Sequence, residues 1–521
     1  MKKRYVWIVG LIAVYLLLVW LLYAIEGRQP ALMPEESPSV NILSFTDALW
    51  YSLTTISTVG YGDKVPASAW GKLIGFIFVL CSAGMLTALI GLGLRLINGT
   101  LIPRLRLWLG KRRTWYVFSE YNADSCALAE ALCRDRPDSM LVFPGGEESP
   151  FASENVVRIS EGIPALIRLR KNMQGLYFFA MSSDPWQNYA LSTSAAERGV
   201  MSYCMGNIQP ETATEHLQLF SVTEAMSRRY WDTYPLLDTE QCVVLIGCDE
   251  AGRALLERAL LNNVFISERR IEYHVFGDTD AFSDLHPEIV KALDGNIVGG
   301  DRLTLHKERW TSARELLERA DRIVLCADDD AENLAAYDLL RGWYVIRAVP
   351  HLRLDTPLPG FICFGEKTAS LTPENVMKEE LNRRATLMND IYNEGSPSPT
   401  AWQALSPFLR QSNIAAADHL LVKARYLLNN ETLTMLTSED CARAYARYQE
   451  LFPEQADLLQ EMEHRRWMRF YQMYNWQYAP KRDNALRSHP LLLPYSQLSK
   501  ADQVKDAYAW EMFDRLSKIK G

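Results

Sequence analysis

Apolar residues along the chain fall into three regimes. Residues 5–25, YVWIVGLIAVYLLLVWLLYAI, carry no charge, and residues 71–97, GKLIGFIFVLCSAGMLTALIGLGLRLI, carry cations only near their ends. Apolar runs of about 20 residues are long enough to cross a bilayer as helices. From residue 114 to 375, short β-rich runs alternate with helical patterns, which predicts parallel α/β sheets. After Pro373 the pattern is helical. The predicted fold class is therefore an α-helical membrane pore domain, then α/β Rossmann-like cytoplasmic domains, then a mainly α-helical C-terminal module.

Charge sets the direction of insertion. Lys2, Lys3 and Arg4 precede the first run, and Arg95, Arg104, Arg106, Lys111, Arg112 and Arg113 end or follow the second. The segment between them is acidic overall, with Glu26, Glu35, Glu36 and Asp47 against Arg28. The positive-inside rule puts both termini in the cytoplasm of a two-span inner (plasma) membrane protein in contact with lipid. The first run is long for a signal-peptide core and no A-x-A-like cleavage site follows it. At 521 residues the chain has room for several domains, and its net charge of −8 gives no reason to invoke nucleic acid. None of the nine cysteines forms a C-x-x-C pair, so no zinc site is indicated and buried free thiols are expected.

Between the two apolar runs lies TTISTVGYGD, residues 54–63. FTDALWYSLTTIS (45–57) reads as a short amphipathic helix that enters the membrane without crossing it. The residues after it are too irregular to face lipid, because unsatisfied backbone survives at that depth only inside protein or along a cavity. Thr58-Val59-Gly60-Tyr61-Gly62-Asp63 resembles the selectivity filter of two-transmembrane-helix potassium channels, and the likeness covers residues 1–100, including Trp50-Tyr51 and Pro66. It implies that K⁺ is coordinated by the carbonyls of Thr58, Val59, Gly60 and Tyr61 and by the Thr58 hydroxyl, with Asp63 at the outer mouth. One loop cannot close a pore, so a homotetramer is expected. In the family a glycine about 20 residues past the filter is the gating hinge; Ser82 stands there, and Gly84, two residues on, is the hinge candidate. A Gly-rich turn between helices is the alternative.

The α/β part reads as a duplication. In the second copy the predicted strands are CVVLIG (242–247), IEYHVFGD (271–278), GNIVGGD (295–301), RIVLCADDD (322–330) and YVIRAV (344–349). Gly247-x-Asp249-x-x-Gly252 is a dinucleotide fingerprint with its middle glycine replaced by a carboxylate, which repels phosphate. In the first copy TWYVFS (114–119), SMLVFP (139–144), NVVRIS (155–160), GLYFFAMS (175–182) and VMSYCM (200–205) repeat the layout, and the fingerprint glycines fall on Ser119, Tyr121 and Asp124. This part resembles tandem regulator-of-potassium-conductance (RCK) domains of the Trk nucleotide-binding type. The resemblance implies an eight-domain gating ring in the tetramer. It also implies an unidentified nucleotide-like ligand lined by Gly247, Asp249, Gly252, Asp278, Asp301 and Asp328. A fold kept for assembly alone, with Asp278 and Asp301 as caps, is the other reading. Asp328-Asp329-Asp330 with Glu332 leaves Ca²⁺ open, though a charged turn is the simpler account.

Residues 461–506 resemble the ryanodine receptor (RyR) repeat domain, through His464, Trp467, Trp476-x-Tyr478, Asp483, His489-Pro490, Leu493-Pro494-Tyr495, Leu498 and Asp502. Asn475 and Ala479 replace the usual glycines. His464, Trp467, Trp476, Tyr478, Arg482, His489 and Tyr495 form an aromatic and cationic set that suits an anionic ring-bearing ligand, or else a Trp/Tyr core under solvated arginines.

The expected order is a pore domain (1–100), a first RCK-like domain with a degenerate site (101–238), a second (239–375), a helical connector (376–436) and an RyR-like domain (437–521). The expected function is a ligand-gated potassium channel and not an enzyme, in which the ring pulls on the second helix through residues 98–113. The alternatives are a membrane-anchored NAD-binding oxidoreductase and a regulatory subunit of a potassium transporter. Neither accounts for the filter.

Overall fold

A computed structural model describes residues 2–28, 41–145, 155–159, 162–170, 174–208, 214–294, 300–394 and 398–518. It divides into two compact units, residues 1–109 with 158–160, and residues 110–157 with 161–521.

The first unit is helical: α1 (Lys2–Glu26), α2 (Phe45–Ile56), α3 (Ala69–Leu96), a π-helical turn at Ile97–Leu101 and α4 (Ile102–Leu109). Among the described residues no helix is long and apolar enough to cross a membrane. The side chains of residues 1–12 and of several positions between 81 and 96 lie outside the described residues. Gly84 falls within α3, but its surroundings also lie outside the described residues. A small core joins Val19 and Leu22 of α1 to Ala48 and Ile56 of α2 and to Ile74 and Phe78 of α3.

Capping fixes where α2 and α3 begin. Ser44 Oγ accepts from the Asp47 amide at 3.1 Å and the Asp47 carboxylate accepts from the Ser44 amide at 3.0 Å, a reciprocal capping box. The Glu26 carboxylate, at the end of α1, accepts from the Ala67 and Ser68 amides at 2.9 and 3.0 Å. A lone carboxylate thus holds the start of α3 against the end of α1.

The second unit contains two six-stranded parallel sheets. The first comprises β1 (Trp115–Phe118), β2 (Met140–Pro144), β3 (Val156–Ile159), β4 (Leu176–Ala180), β5 (Met201–Met205) and β6 (Leu217–Phe220), in the order β3-β2-β1-β4-β5-β6. The second comprises β7 (Cys242–Ile246), β8 (Glu272–Phe276), β9 (Arg302–His306), β10 (Arg322–Leu325), β11 (His351–Arg353) and β12 (Ile362–Phe364), in the order β12-β11-β10-β7-β8-β9. Counted from its own first strand, each sheet reads 3-2-1-4-5-6, the doubly wound dinucleotide-binding order. The second sheet is thus a copy of the first.

Two strand expectations shift. Residues 295–299 lie outside the described residues, and the strand expected there is β9, which begins at Arg302. Residues 344–349 are not a strand. Val345 and Val349 are 83% and 60% exposed, so their β-branched side chains have no sheet to pack on, and β11 begins only at His351. The strands β6 and β12, four and three residues long, are too short to stand out in the sequence.

Helices follow the second sheet: Arg383–Asn393, Pro407–Leu428, Ser438–Gln449, Pro453–Met473 and Tyr508–Ser517. The expected connector and the C-terminal module share one core, in which Trp402, Leu420 and Ala424 meet Met462, Trp510 and Phe513. The far end of Pro453–Met473 enters a different core, where Phe470, Tyr471 and Trp476 cluster with Leu255, Tyr273 and Phe282 of the second α/β copy.

Candidate functional site

The loop after α2 has an unusual backbone. Thr58, Gly60 and Gly62 have φ of 60°, 55° and 71°, whereas Val59 and Tyr61 between them do not have positive φ. Left-handed backbone strains a residue with a side chain but is easy for glycine. Alternation of this kind turns successive peptide planes so that their carbonyls share one side. The amides of Val59 and Gly60 both donate to the Thr54 carbonyl at 3.0 Å, which ties the loop to the end of α2. At the other end Trp50 Nε1 donates to the Asp63 carboxylate at 2.8 Å, and the Trp50 and Tyr61 rings stack 5.9 Å apart and nearly parallel. Lys64 pairs with Asp47 at 3.3 Å. Val59 and Tyr61 are otherwise exposed, and a Cβ at Gly60 or Gly62 would meet nothing within 4 Å. The loop is braced on one side and open on the other.

In the second α/β copy, Gly247 and Gly252 are required by close approach. A Cβ on Gly247 would lie 2.4 Å from the Ala327 amide nitrogen, and one on Gly252 would lie 2.2 Å from the Gly247 carbonyl. Asp249 precedes the helix Glu250–Asn262 but makes no capping bond. Asp328 does that work: its carboxylate accepts from the Glu250 and Ala251 amides at 3.1 and 2.9 Å. Those are the helix-terminal donors that a phosphate uses in dinucleotide folds. Asp278, just past β8, is exposed at the carboxyl end of the sheet.

Asp301 does not line this crevice. It stands before β9, at the amino ends of the strands, where its carboxylate accepts from the Ile271 amide at 2.8 Å and pairs with Arg469 at 2.7 Å. The expectation placed it on the wrong edge of the sheet, because the strand starts after it.

The loop that carries Asp328 is wired to the first copy. Arg353 Nη1 donates to the Asp328 carbonyl at 2.6 Å and to Asp330 at 3.1 Å, and Arg353 also pairs with Asp355. Lys367 then bridges Asp355, at 3.3 Å, and Asp124, at 2.9 Å. Asp124 occupies the third glycine position of the decayed fingerprint.

In the C-terminal module, His464, Trp467, Trp476 and His489 do come together. The Trp467 ring lies 5.6 Å from His464 and 5.0 Å from His489, and Trp476 lies 6.4 Å from His489. Tyr495 is 6.1 Å from His464. The cluster is largely buried, and His464 Nε2 is within 2.8 Å of the Leu493 carbonyl. Only Tyr478 and Arg482 face outward, with the Arg482 guanidinium 5.9 Å from the Trp476 ring. Beside this module is a cavity of about 560 Å³ that the sequence did not signal. Its walls include Glu224 and Arg228 of the helix Val222–Thr233, Arg253 and Arg258 of the helix Glu250–Asn262, Arg410, and Asn475. It is assembled from at least seven separate stretches of chain, which is why no local motif announces it.

Residues 10–98 match the ion channel family. A voltage-gated potassium channel of Aeropyrum pernix is 50% identical over 54 residues, which are 10% of this chain and 18% of that one. The potassium voltage-gated channel subfamily KQT member 1 of Felis catus is 49% identical over 43 residues, 8% of this chain and 7% of its own. The chain thus spans under a fifth of the length of these curated relatives. Among solved structures, the GsuK channel is 14% identical and covers 73% of this chain and 99% of its own, at a TM-score of 0.35. A GsuK crystal structure bound to ADP gives 12% identity over the same shares, at 0.34. Superposition at that level is loose; the strand order of the two sheets is what defines their fold here.

Proposed function

We propose that the chain is a subunit of a tetrameric, potassium-selective membrane channel opened or closed by a ligand of its cytoplasmic α/β part. The observation that carries the reading is the alternation of φ through Thr58–Gly62, braced by Trp50 and open on its other face. Four such loops around an axis would present stacked rings of carbonyl oxygens in place of the water shell of K⁺. In this reading α1 and α3 are the two spans, both termini are cytoplasmic, and eight RCK-like domains form the ring.

A nucleotide-like ligand is the proposed effector. To seat a phosphate at the second crevice it must displace the Asp328 carboxylate from the Glu250 and Ala251 amides. That displacement loads the Arg353–Asp355–Lys367–Asp124 chain, so bound and free states differ in contacts, as any effector requires. A second reading is favoured by the cavity, whose arginines suit an anion of similar size.

The test is K⁺ flux from liposomes holding the purified chain, with nucleotides, dinucleotides and Ca²⁺ added in turn. Gly60→Asp is the blocked control. A ligand response altered by Asp328→Ala supports the crevice; one altered only by Arg253→Ala supports the cavity. K⁺ flux absent under all conditions, or Na⁺ passing as readily as K⁺, would sink the reading of a potassium-selective channel.

A further inference from the structure

Cys242, Glu272, His274 and His306 lie on one face of the second sheet. Cys242 pairs in register with Glu272, and Phe276 with His306, while alternate residues of β8 share a face. The Cys242 thiol, a Glu272 carboxylate oxygen and a His274 ring nitrogen lie within 4.8 Å of one another. A tetrahedral zinc site with bonds of about 2.0–2.3 Å holds its ligand atoms roughly 3.3–3.8 Å apart. Small rotations close that difference, and the half-exposed Glu272 is free to make them.

The hydrogen bonds fix which nitrogen of His274 is available. Glu308 accepts at 2.9 Å from His306 Nδ1, so that nitrogen carries the proton and His306 Nε2 is a lone pair. His306 Nε2 lies 3.0 Å from His274 Nδ1, which must then be the donor. His274 Nε2 is left as a second lone pair. It is buried, has no hydrogen-bond partner, and lies 3.7 Å from the Glu272 carboxylate. A ring nitrogen, a carboxylate and a thiol, whose own proton must leave on metal binding, therefore converge on one point. The cation now nearest is Arg319, 3.1 Å from Glu272, on a half-exposed side chain that can swing away. Histidine ligands that donate their other nitrogen into a hydrogen-bonded relay are the usual form of a metal centre.

We propose that Cys242, Glu272 and His274 bind a borderline transition-metal cation of the zinc class, with His306 and Glu308 as positioning residues and water as a fourth ligand. Mixed sulfur, nitrogen and oxygen donors select such an ion over Ca²⁺ or Mg²⁺. On binding, the Cys242 S–H bond breaks, a sulfur–metal bond forms, and the proton leaves to solvent. Affinity falls as pH drops, because protons compete with the metal for its ligands. The Asp321 carboxylate, accepting from the Cys242 amide at 2.9 Å, is the other charge against this strand end. The site lies at the amino ends of β7 and β8, away from the crevice, and does not rest on the channel reading.

Cobalt(II) titration of the purified full-length chain tests it. One equivalent should produce a thiolate-to-cobalt charge-transfer band, displaced by Zn²⁺. Cys242→Ser should abolish the band, and Glu272→Gln or His306→Ala should weaken binding about tenfold or more. Zn²⁺ should raise the thermal midpoint of the wild-type chain but not of Cys242→Ser, whose metal-free circular dichroism and melting report its folding. Absence of a charge-transfer band, or a band that survives both Cys242→Ser and Glu272→Gln, overturns the assignment.

Discussion

Asp328 caps the helix that Glu250 begins, at 3.1 Å, across 78 residues of sequence. The same carboxylate that stabilises the helix takes up the amides that a phosphate uses in dinucleotide folds. Asp328→Ala should cost about 1 kcal/mol of stability, seen as a lower thermal midpoint. It should also raise affinity for a phosphate-bearing nucleotide about tenfold, measured by calorimetry with ADP and NAD. Unchanged affinity would show that no phosphate enters there.

Trp50 and Asp63 hold the far end of the loop that follows α2. Trp50→Phe keeps an aromatic ring for stacking on Tyr61 and removes the N–H donor to Asp63. A hydrogen bond to a charged group contributes about 1.5–3 kcal/mol. The loop should therefore lose order, and K⁺/Na⁺ selectivity in the liposome assay should fall. Asp63→Asn, which keeps an acceptor oxygen, should be milder.

Asp418 is 3% exposed and pairs with both Arg228, at 2.8 Å, and Arg258, at 3.3 Å. Asp418→Ala leaves the buried Arg228 guanidinium without its carboxylate and Arg258 with Glu224 alone, at 3.3 Å. The expected loss is about 3–5 kcal/mol, read from denaturant unfolding of the chain. A loss below about 1 kcal/mol would mean that water reaches the pair.

His351 Nδ1 lies 3.1 Å from the Tyr230 hydroxyl, and burial, with Arg322 nearby, lowers its pKa to about 3. A depressed folded-state pKa means that the neutral ring is favoured in the fold. Its contribution is complete above the unfolded value of about 6.5 and is lost as pH falls toward 3. Between those limits the slope from this group is about 1.4 kcal/mol per pH unit. Asp232, raised to about 6 by burial and by Asp418, works in the opposite sense near the top of that window. The difference between wild type and His351→Gln isolates the histidine: the variant should unfold less steeply with acid.

What the sequence showed depended on how far each residue's partner lay along the chain. The filter is self-contained within about ten residues, and the capped helix before it is equally local, so both were legible. The core strands of each sheet were legible as apolar runs. Asp301 was misplaced because its partner Arg469 is 168 residues away and its strand starts one residue later. Asp328 caps a segment 78 residues away, a role its own neighbours do not announce. His464, Trp467, Trp476 and His489 meet in the fold, and their burial against the second sheet's helices is not written in their spacing. Cys242, His274 and His306 form no local motif because strand register, not sequence proximity, brings them together.

Lys367, shared between Asp124 and Asp355, gives the decayed copy a meaning of its own. One ammonium serves both carboxylates, and Asp124 stands in the first turn of the helix Ala123–Asp135, so a shift of Asp355 is felt at the start of a helix 231 residues away in sequence.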